Sequence, residues 1–244
     1  MAQFANVDTV YQTVLALANK EQRGYITPQE FNLFARQAQM EIFEQYFYDL
    51  DQAKRSVPSS SSEFTPDSIE IIEEKLSRFI YNVQITPTGS GWSLPTDCYK
   101  ASTVDVITDK GQLYVEKITI DESTRINSSG YLTKPTVSRP NYYQIGNTIF
   151  INPNPQTAYS AGGGATVRFS YYKKPADPNW TYMVVNDKAI YNSNASTRHF
   201  QLDKSEERDL ILKVLQYAGV SIKDFGLVQV AGQADQNTVL QQKR

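Results

Sequence analysis

The segment "ITPQEF", from Ile26 to Phe31, carries several signals for the start of a helix. Thr27 is suited to the N-cap, because its hydroxyl can accept a hydrogen bond from a free backbone N–H of the first turn. Pro28 follows at the first helical position, where the missing N–H costs nothing. Glu30 completes a capping box with Thr27, and Ile26 and Phe31 are placed to form a hydrophobic staple. The sequence therefore predicts a helix that begins here and continues through the apolar segment that follows.

This predicted helix carries apolar residues on two sides when its residues are spaced at 100°. The first stripe consists of Phe31, Phe34, Ala35, Ala38, Ile42 and Tyr46. The second stripe, roughly opposite, consists of Leu33, Met40, Phe43, Phe47 and Leu50. Because a surface helix needs only one apolar stripe, two stripes indicate either a central helix buried in an ordinary core or a helix that also packs against a neighbouring subunit. Under the second hypothesis, the five residues of the second stripe are candidates for a subunit interface.

Helical spacing returns on either side of this segment. Apolar residues three and four apart predict an earlier helix from about Val7, with Asn6 or Asp8 as its cap. Near the other end of the chain, Asp203 is predicted to cap a last helix, with Glu206 as its capping-box partner. Gly219 is predicted to stop that helix, because glycine is favoured just after a helix end.

The middle of the chain changes to the alternating pattern of strands. The residues Asp109-Lys110-Gly111 are predicted to form a turn between two strands, and Gly146-Asn147 the two-residue loop of a tight hairpin. Residues 161–165, "AGGGA", lie between two predicted strands and lack the lysine and following helix of a phosphate-binding loop. We therefore predict a flexible hairpin tip at that position. The segment "SIEIIEEKLSRFI" is predicted to form a short helix that runs into a strand.

Together these elements predict an α+β fold. An N-terminal helical hairpin (1–55) forms one unit with the C-terminal helix (203–220), and the helices pack with a small antiparallel β-sandwich or barrel from a mainly β-strand region (69–200). A serine-rich loop (56–68) separates the hairpin from the strands. An extended C-terminal tail (221–244) is rich in glutamine and poor in core-forming residues, so it has little to bury alone and is expected to order by docking onto a partner.

Composition and charge limit the classes of function. The 244 residues are 40% hydrophobic and 20% charged, which is typical of a globular protein. The net charge of -2 gives no basic footprint for gripping nucleic acid, although DNA can pass beside a weakly acidic surface without adhering. The single cysteine, Cys98, excludes an intrachain disulfide and a cysteine zinc cluster, and indicates assembly in a reducing cytoplasm. We expect no secretory signal and no membrane span.

Residue patterns for catalysis are missing. His199 is the only histidine, so any Ser-His-Asp or Cys-His arrangement would have to use it, and no catalytic motif surrounds it. The sequence has no dinucleotide fingerprint and no Walker loop, and the aspartates after Tyr48 fail the calcium-loop pattern at Ala53 and Lys54. We therefore predict a protein that is not an enzyme, with no catalytic residue, no cofactor and no metal site. A pair of carboxylates brought together in space stays open as a glycoside hydrolase.

Three segments resemble the head-to-tail connector (adaptor) proteins of tailed bacteriophages. "VYQTVLALANKEQRGYITPQEFNLFARQAQMEIFEQYF" resembles the opening of virion structural proteins of crAss-like and related phages of Bacteroidota. "HFQLDKSEERDLILKVLQYAGVSIKD" resembles their closing segment. Between them, "WSLPTDCYKASTVDV" contains a Leu-Pro-x-Asp phrase followed by a strand, which is similar to one in many phage adaptor proteins. The order of helical hairpin, strand-rich middle, late helix and tail is also that of these proteins.

The resemblance implies a structural protein of the virion neck or tail, assembled in the host cytoplasm. Its copies would form a homo-oligomeric ring, dodecameric by the resemblance, that joins the portal protein to the tail or to another ring. DNA would pass through the lumen without specific binding, and no membrane would be involved. The C-terminal tail would dock onto the portal or the next subunit, with apolar candidates Phe225, Leu227, Val230, Val239 and Leu240.

Two other functions remain open at this point. The tyrosine-rich, strand-rich middle also fits a tail-associated host-recognition or carbohydrate-binding module, because aromatic faces stack on sugars. Unassigned carboxylates leave a glycan-degrading tail enzyme as a third hypothesis.

Overall fold

A computed structural model describes residues 4–20, 26–56, 66–109, 111–128, 133–158 and 165–221. Within these residues the fold is α+β, as the sequence predicts. The helices are α1 (Val7–Lys20), α2 (Pro28–Ser56), α3 (Pro66–Ser77), α4 (Ile120–Ser128), α5 (Pro155–Ala158) and α6 (Glu207–Ser221). The strands are β1 (Ile80–Ile85), β2 (Pro87–Thr88), β3 (Gly91–Ser93), β4 (Cys98–Thr108), β5 (Gly111–Tyr114), β6 (Glu116–Lys117), β7 (Asn141–Ile145), β8 (Thr148–Asn152), β9 (Thr166–Lys173), β10 (Tyr182–Val185) and β11 (Lys188–Tyr191).

The chain divides into two compact units. The helical unit combines residues 1–75 with 175–244, and the β unit comprises residues 76–174. The predicted β-strand region of 69–200 is therefore not one body, because the hairpin of β10 and β11 belongs to the helical unit. The serine-rich loop and the "AGGGA" tip fall almost entirely outside the described residues, and α3 already begins at Pro66.

The helix starts of the helical unit follow the predicted capping chemistry. The Asp8 backbone N–H donates to Asn6 Oδ1 at 2.9 Å, which identifies Asn6 as the cap of α1. At α2, the Glu30 N–H donates to Thr27 Oγ1 at 3.3 Å, and the Thr27 N–H donates to Glu30 Oε2 at 2.9 Å. These reciprocal bonds confirm the capping box, and the backbone bond from Thr27 also lowers the pKa of the Glu30 carboxyl. Ile26 and Phe31 are both buried, as the hydrophobic staple requires.

The last helix differs from its prediction at both ends. Asp203 caps a single 3-10 turn, Lys204–Glu206, by accepting a hydrogen bond from the Ser205 N–H at 2.9 Å. The Glu206 carboxylate, which is buried, forms an ion pair with Lys75. The predicted stop at Gly219 is wrong, because α6 continues to Ser221. A glycine inside a helix costs only about 1 kcal/mol relative to alanine, and α6 is still packed on its buried side at this point.

The helices of this unit share an apolar core. Helix α6 lies against both α1 and α2. The fully buried side chains at their contacts include Val10, Tyr11, Phe31, Ala35, Ala38, Leu210 and Val214. Each helix contributes residues spaced three or four apart. The first stripe of α2 belongs to this core, although its Phe34 is only half-buried.

Two side-chain amides on α2, the buried Gln39 and the half-buried Asn32, hold the extended segment that crosses this core. Gln39, which is 2% exposed, donates from Nε2 to the Ala176 carbonyl at 2.9 Å and accepts at Oε1 from the Gln201 N–H at 2.8 Å. Gln201 in turn accepts the Ala176 N–H at 2.9 Å, which closes a ring of three hydrogen bonds. Two helical turns earlier, Asn32 accepts the Trp180 N–H at 2.8 Å and donates to the Trp180 carbonyl at 3.1 Å. Side chains of α2 therefore form hydrogen bonds with backbone N–H and C=O groups of the extended segment that are not paired in a strand.

The β unit consists of two sheets that pack against one core. One sheet has the order β1-β9-β4-β5 and the other β2-β3-β8-β7-β6. Their shared core contains Ile85, Trp92, Leu94, Val104, Val106, Val115, Tyr142, Ile149, Ile151, Val167, Phe169 and Tyr171. This is a small sandwich, as predicted, although it is not wholly antiparallel, because the short β6 pairs with β7 in parallel.

Local turn chemistry in the β unit agrees with the sequence. β7 and β8 are joined by the predicted two-residue loop, where Gly146 has φ of 57°, a conformation that favours glycine. β4 and β5 pair on either side of the predicted turn, with Thr108 opposite Gly111, although Gly111 already belongs to β5 and Lys110 lies outside the described residues. Helix α4 is a departure, because the region was predicted as strand. Its N-cap is nevertheless supplied by the residue directly before the helix, because Thr119 Oγ1 accepts the Glu122 N–H at 3.2 Å.

The hydrogen bonds of Gln39 yield a first prediction. In Gln39→Ala, the Ala176 carbonyl and the Gln201 N–H, both in half-buried residues, lose their side-chain partner, so the free energy of unfolding should fall by about 2 kcal/mol. Gln37→Ala, at an exposed position on the same helix, is the matched control and should change stability by less than about 0.5 kcal/mol. Urea denaturation followed by circular dichroism measures both. Equal effects would show that the amide ring does not hold the segment.

Candidate interaction surface

The hairpin of β10 and β11 is a two-stranded sheet of its own. Its turn is formed by Asn186 and Asp187, with φ of 50° and 60°, and Val185 pairs with Lys188 directly across it. Positive φ at both turn positions is the geometry of a type I′ turn, which matches the twist of antiparallel strands and accepts asparagine and aspartate. The hairpin is thus a regular element and not an irregular loop.

The base of the hairpin is fixed to the helical unit through Trp180. The indole ring is 1% exposed, stacks on Tyr182 with ring centroids 5.7 Å apart, and meets Tyr191 in a tilted contact at 6.0 Å. Its Nε1–H donates to Asp8 Oδ1 on α1 at 2.9 Å. On another side it meets the Tyr11 ring at 4.0 Å. These aromatic contacts and the hydrogen bond hold the tryptophan in place, so the first residues of the hairpin are fixed to the helical unit.

Beyond its base, the hairpin exposes apolar side chains on both faces. Met183, Val185 and Ile190 lie on one face and are 46%, 42% and 49% exposed. Val184 lies on the other face and is 66% exposed. In the part of the chain that the structure describes, no third strand pairs with this hairpin. An isolated hairpin with adjacent exposed apolar side chains is typical of a surface that contacts another molecule.

The five predicted interface residues of α2 differ in their exposure to solvent. Phe43 is fully buried and Leu50 is 8% exposed, so both are core residues here and offer no surface to a neighbouring subunit. Phe43 packs edge to face on Phe47 with ring centroids 5.2 Å apart. Met40 and Phe47 are half-buried, and Leu33 is 65% exposed. The subunit hypothesis thus needs correction at Phe43 and Leu50 and stays a prediction for the other three.

The predicted docking residues of the C-terminal tail are not tested. Phe225, Leu227, Val230, Val239 and Leu240 all lie outside the described residues, which end at residue 221. Docking of the tail onto a partner therefore stays a prediction.

The aspartate of the Leu-Pro-x-Asp phrase is the centre of a polar cluster in the β unit. Asp97 accepts a hydrogen bond from the Tyr171 hydroxyl at 2.9 Å and an ion pair from the Lys173 ammonium at 3.0 Å. The same ammonium lies 4.9 Å from the centre of the Tyr81 ring. The Asp97 carbonyl also accepts the Lys174 N–H at 2.9 Å. These contacts tie the phrase to the end of β9, which gives Asp97 a structural role.

The electrostatics of this cluster are consistent with that role. Burial raises the pKa of the Tyr171 hydroxyl to about 12, and the hydrogen bond and charge of Asp97 add to the rise. Burial alone would raise the pKa of the Asp97 carboxyl, but the hydrogen bonds from Lys173 and Tyr171 outweigh it and lower that pKa. Burial and the neighbouring Asp97 charge also raise the pKa of the Cys98 thiol, which makes it a poor nucleophile at neutral pH.

Other groups with possible chemistry have structural contacts. His199 Nδ1 accepts the Val7 N–H at 3.4 Å, next to the start of α1. Among the described residues, no group of three or more histidine, cysteine, aspartate or glutamate side chains is placed to hold a metal ion. Nor does any described helix combine the length and hydropathy of a membrane span.

Comparison with known proteins adds no identification. No protein-family model matches the sequence, and no curated protein matches it. The surface must therefore be interpreted from its geometry and from the resemblance of the three segments quoted above.

The sequence contains a signal for the hairpin of β10 and β11 that is absent from the predicted strands above. In "YMVVNDKAIY", two apolar runs flank an Asn-Asp pair, which is a hairpin pattern. The pattern does not predict that the side chains of the two apolar runs are exposed to solvent, because their exposure depends on which elements pack nearby.

Burial of Phe43 gives a second prediction. Phe43→Asp places an unpaired charge in the core, so we expect a loss of at least about 4 kcal/mol in the free energy of unfolding. Leu33→Asp, on the exposed side of the same helix, should remain folded with a change of less than about 0.5 kcal/mol. Far-UV circular dichroism and chemical denaturation distinguish them. A folded, soluble Phe43→Asp monomer would contradict the core assignment.

The raised pKa of the Tyr171 hydroxyl predicts how the free energy of unfolding depends on pH. Its folded-state pKa of about 12 lies above the ordinary tyrosine value of about 10, so its contribution to stability is complete below pH 10 and is lost as the pH rises towards 12. Between these values the free energy of unfolding should fall more steeply for the wild type than for Tyr171→Phe. Urea denaturation from pH 9 to pH 12 measures the two slopes. Parallel slopes would show that Tyr171 is not buried beside Asp97.

Proposed function

We propose that this protein is a non-enzymatic virion structural protein, a head-to-tail connector (adaptor) of a tailed phage. Its copies form a ring between the portal protein and the tail, in the neck region of the virion. The observation that carries the proposal is the hairpin of β10 and β11, which presents Met183, Val184, Val185 and Ile190 on a rigid base without a partner among the described residues. The resemblance of the opening, middle and closing segments supports the same function.

Ring formation makes a specific demand on the subunit. A contact between two different surfaces, repeated from copy to copy, closes into a ring when the rotation fits. Such surfaces must be exposed in the lone subunit and apolar enough to exclude water, with methionine and aromatic residues enriched. The hairpin satisfies both requirements, and the exposed Leu33 on α2 provides a second apolar position on the same unit.

The charge of the chain fits a protein that surrounds DNA without binding it. With a net charge of -2 per chain, the ring would carry no overall positive charge to hold the phosphate backbone. DNA could then slide through the lumen during packaging and ejection.

The proposal predicts that a charge on the hairpin blocks assembly and leaves the fold intact. Val184→Asp should give a folded monomer, because the residue is exposed in the lone chain and would be buried in the ring. Leu17→Asp, at an exposed position on α1, is the matched control and should still assemble. Light scattering after size exclusion and negative-stain microscopy measure assembly, and circular dichroism measures folding. A wild type that forms no rings and is missing from purified virions would refute the connector function.

A second candidate function rests on a polar row across the β unit. Gln84, Arg168, Asp105 and Tyr114 are successive partners across β1, β9, β4 and β5, so their side chains share the sheet face that points away from the core. Tyr114 is 63% exposed. An exposed ring in one row with amide and guanidinium groups can stack on a sugar and bind its hydroxyls, whereas the Asp105 side chain in the same row is buried at 9% exposure. This row favours a carbohydrate-binding module of the tail as the alternative to a connector.

The alternative is tested separately from assembly. If the row binds sugars, Tyr114→Ala should lose most of the binding seen on a glycan array, while Tyr48→Ala, an exposed tyrosine on α2, should keep it. A wild type that binds no glycan on the array would remove this candidate and leave the connector proposal unaffected.

A further inference from the structure

We infer that neighbouring copies join by strand pairing: the free edge of β10 in one copy adds antiparallel to the free edge of β1 in the next. This inference rests on the proposed ring and names the two surfaces that meet in it.

The free edge of β10 presents the backbone groups of Tyr182 and Val184. The Asn192 N–H donates to the Thr181 carbonyl at 3.0 Å, so this is a hydrogen-bonded pair of the hairpin. In an antiparallel ladder, bonded and non-bonded pairs alternate, so Met183 and Val185 also bond to β11. The N–H and C=O groups of Tyr182 and Val184 therefore point away from the hairpin.

The free edge of β1 presents the matching set of groups. Among the strands of the described residues, β1 lies at the edge of its sheet and pairs with β9 on one side only. The Lys173 N–H donates to the Phe79 carbonyl at 2.8 Å, so by the same alternation Tyr81 and Val83 bond to β9. The N–H and C=O groups of Ile80, Asn82 and Gln84 point away from the sheet, at the same two-residue spacing as those of β10.

One register matches the side chains as well as the backbones. If Val184 lies opposite Asn82 and Tyr182 opposite Gln84, then Met183 lies beside Val83 and Val185 beside Tyr81. All four of these apolar side chains are exposed in the lone chain, by 36% to 46%. Pairing in this register covers them together on one face of the extended sheet.

The charges of the two edges are compatible with this register. Neither β10 nor β1 contains a charged residue, so pairing buries no unpaired charge. The hairpin turn would reach past Tyr81 towards the start of β1, where the ammonium of Lys173 lies over the Tyr81 ring. Asp187 in the turn would therefore approach a cation of the neighbouring copy. β11, whose edge stays free, carries Lys188, a residue type that natural sheets use to keep edges unpaired.

A second copy of this chain is the occupant that satisfies both edges at once. A strand from an unrelated protein could cover β10 or β1, but it would leave the other edge open with its apolar residues exposed. A head-to-tail contact covers one edge of each kind at every junction and closes into a ring. The contact is heterologous, so a dimer with two-fold symmetry would not form it.

Cysteine cross-linking in the full chain tests this pairing. In a Cys98→Ser background, the double variant Val83→Cys and Met183→Cys places the two thiols in a non-hydrogen-bonded pair, whose Cα atoms are about 4.5 Å apart, within the range of a disulfide. We expect a ladder of dimer, trimer and higher species on a non-reducing gel, which collapses to monomer on reduction. Each single variant should stay monomeric on that gel, because its thiols do not meet across a heterologous junction.

The control for register is Val83→Cys with Val184→Cys, whose side chains lie on opposite faces of the paired strands and should give no ladder. Size exclusion with light scattering and negative stain follow assembly on the same samples. Rings without a ladder would overturn the strand pairing and leave the connector function standing. Dimers from the Met183→Cys single variant, or an intrachain disulfide in the double variant, would also overturn it. A protein that neither cross-links nor assembles would remove both.

Discussion

The amides of Asn32 and Gln39 on α2 are the constraint on which the rest of the helical unit depends. The extended segment enters at Ala176 and leaves at Gln201, and both of these residues bond to the same Gln39 side chain. The chain between these two residues, which includes Trp180 and the hairpin, therefore forms a loop whose two ends are held together. Ordering a free loop costs about 1–2 kcal/mol per residue, so without these bonds the hairpin would pay much of that cost on association. With them, its apolar side chains are presented already in place.

Local chemistry explains which parts of this fold could be predicted from the sequence. The capping box of Thr27 and Glu30 and the loop after Ile145 depend on residues within a few positions, and each was predicted correctly. The periodicity of α2 gave the direction of each side chain, but not which other element would cover it. That is why Phe43 and Leu33, both on the second stripe, end up buried and exposed respectively.

The candidate surface was harder to predict for the same reason. The apolar runs beside Asn186 indicate a hairpin, yet such runs are more often found in a core. Assignment of the hairpin to the helical unit depends on the long-range contacts of Trp180 with Tyr11 and Asp8, which no window of sequence contains. The parallel pairing of β6 with β7 is likewise a matter of topology, because it joins segments separated by α4. Distant contacts, and not local propensity, thus decided where the uncovered surface lies.

The strength expected of the inferred contact determines how a ring would form. A four-residue strand pairing supplies only a few backbone hydrogen bonds, each worth about 0.5–1.5 kcal/mol net, together with the partial burial of four apolar side chains. Two free subunits lose about 4–15 kcal/mol of translational and rotational freedom on pairing, so an isolated pair is weak. In a closed ring every subunit makes two such contacts, and the last junction forms without further loss of this freedom. Assembly is therefore expected to be cooperative, and to be strongly favoured by a template that holds subunits side by side. A symmetric partner such as a portal would act in this way, which links the weakness of a single junction to the proposed place of the ring in the virion.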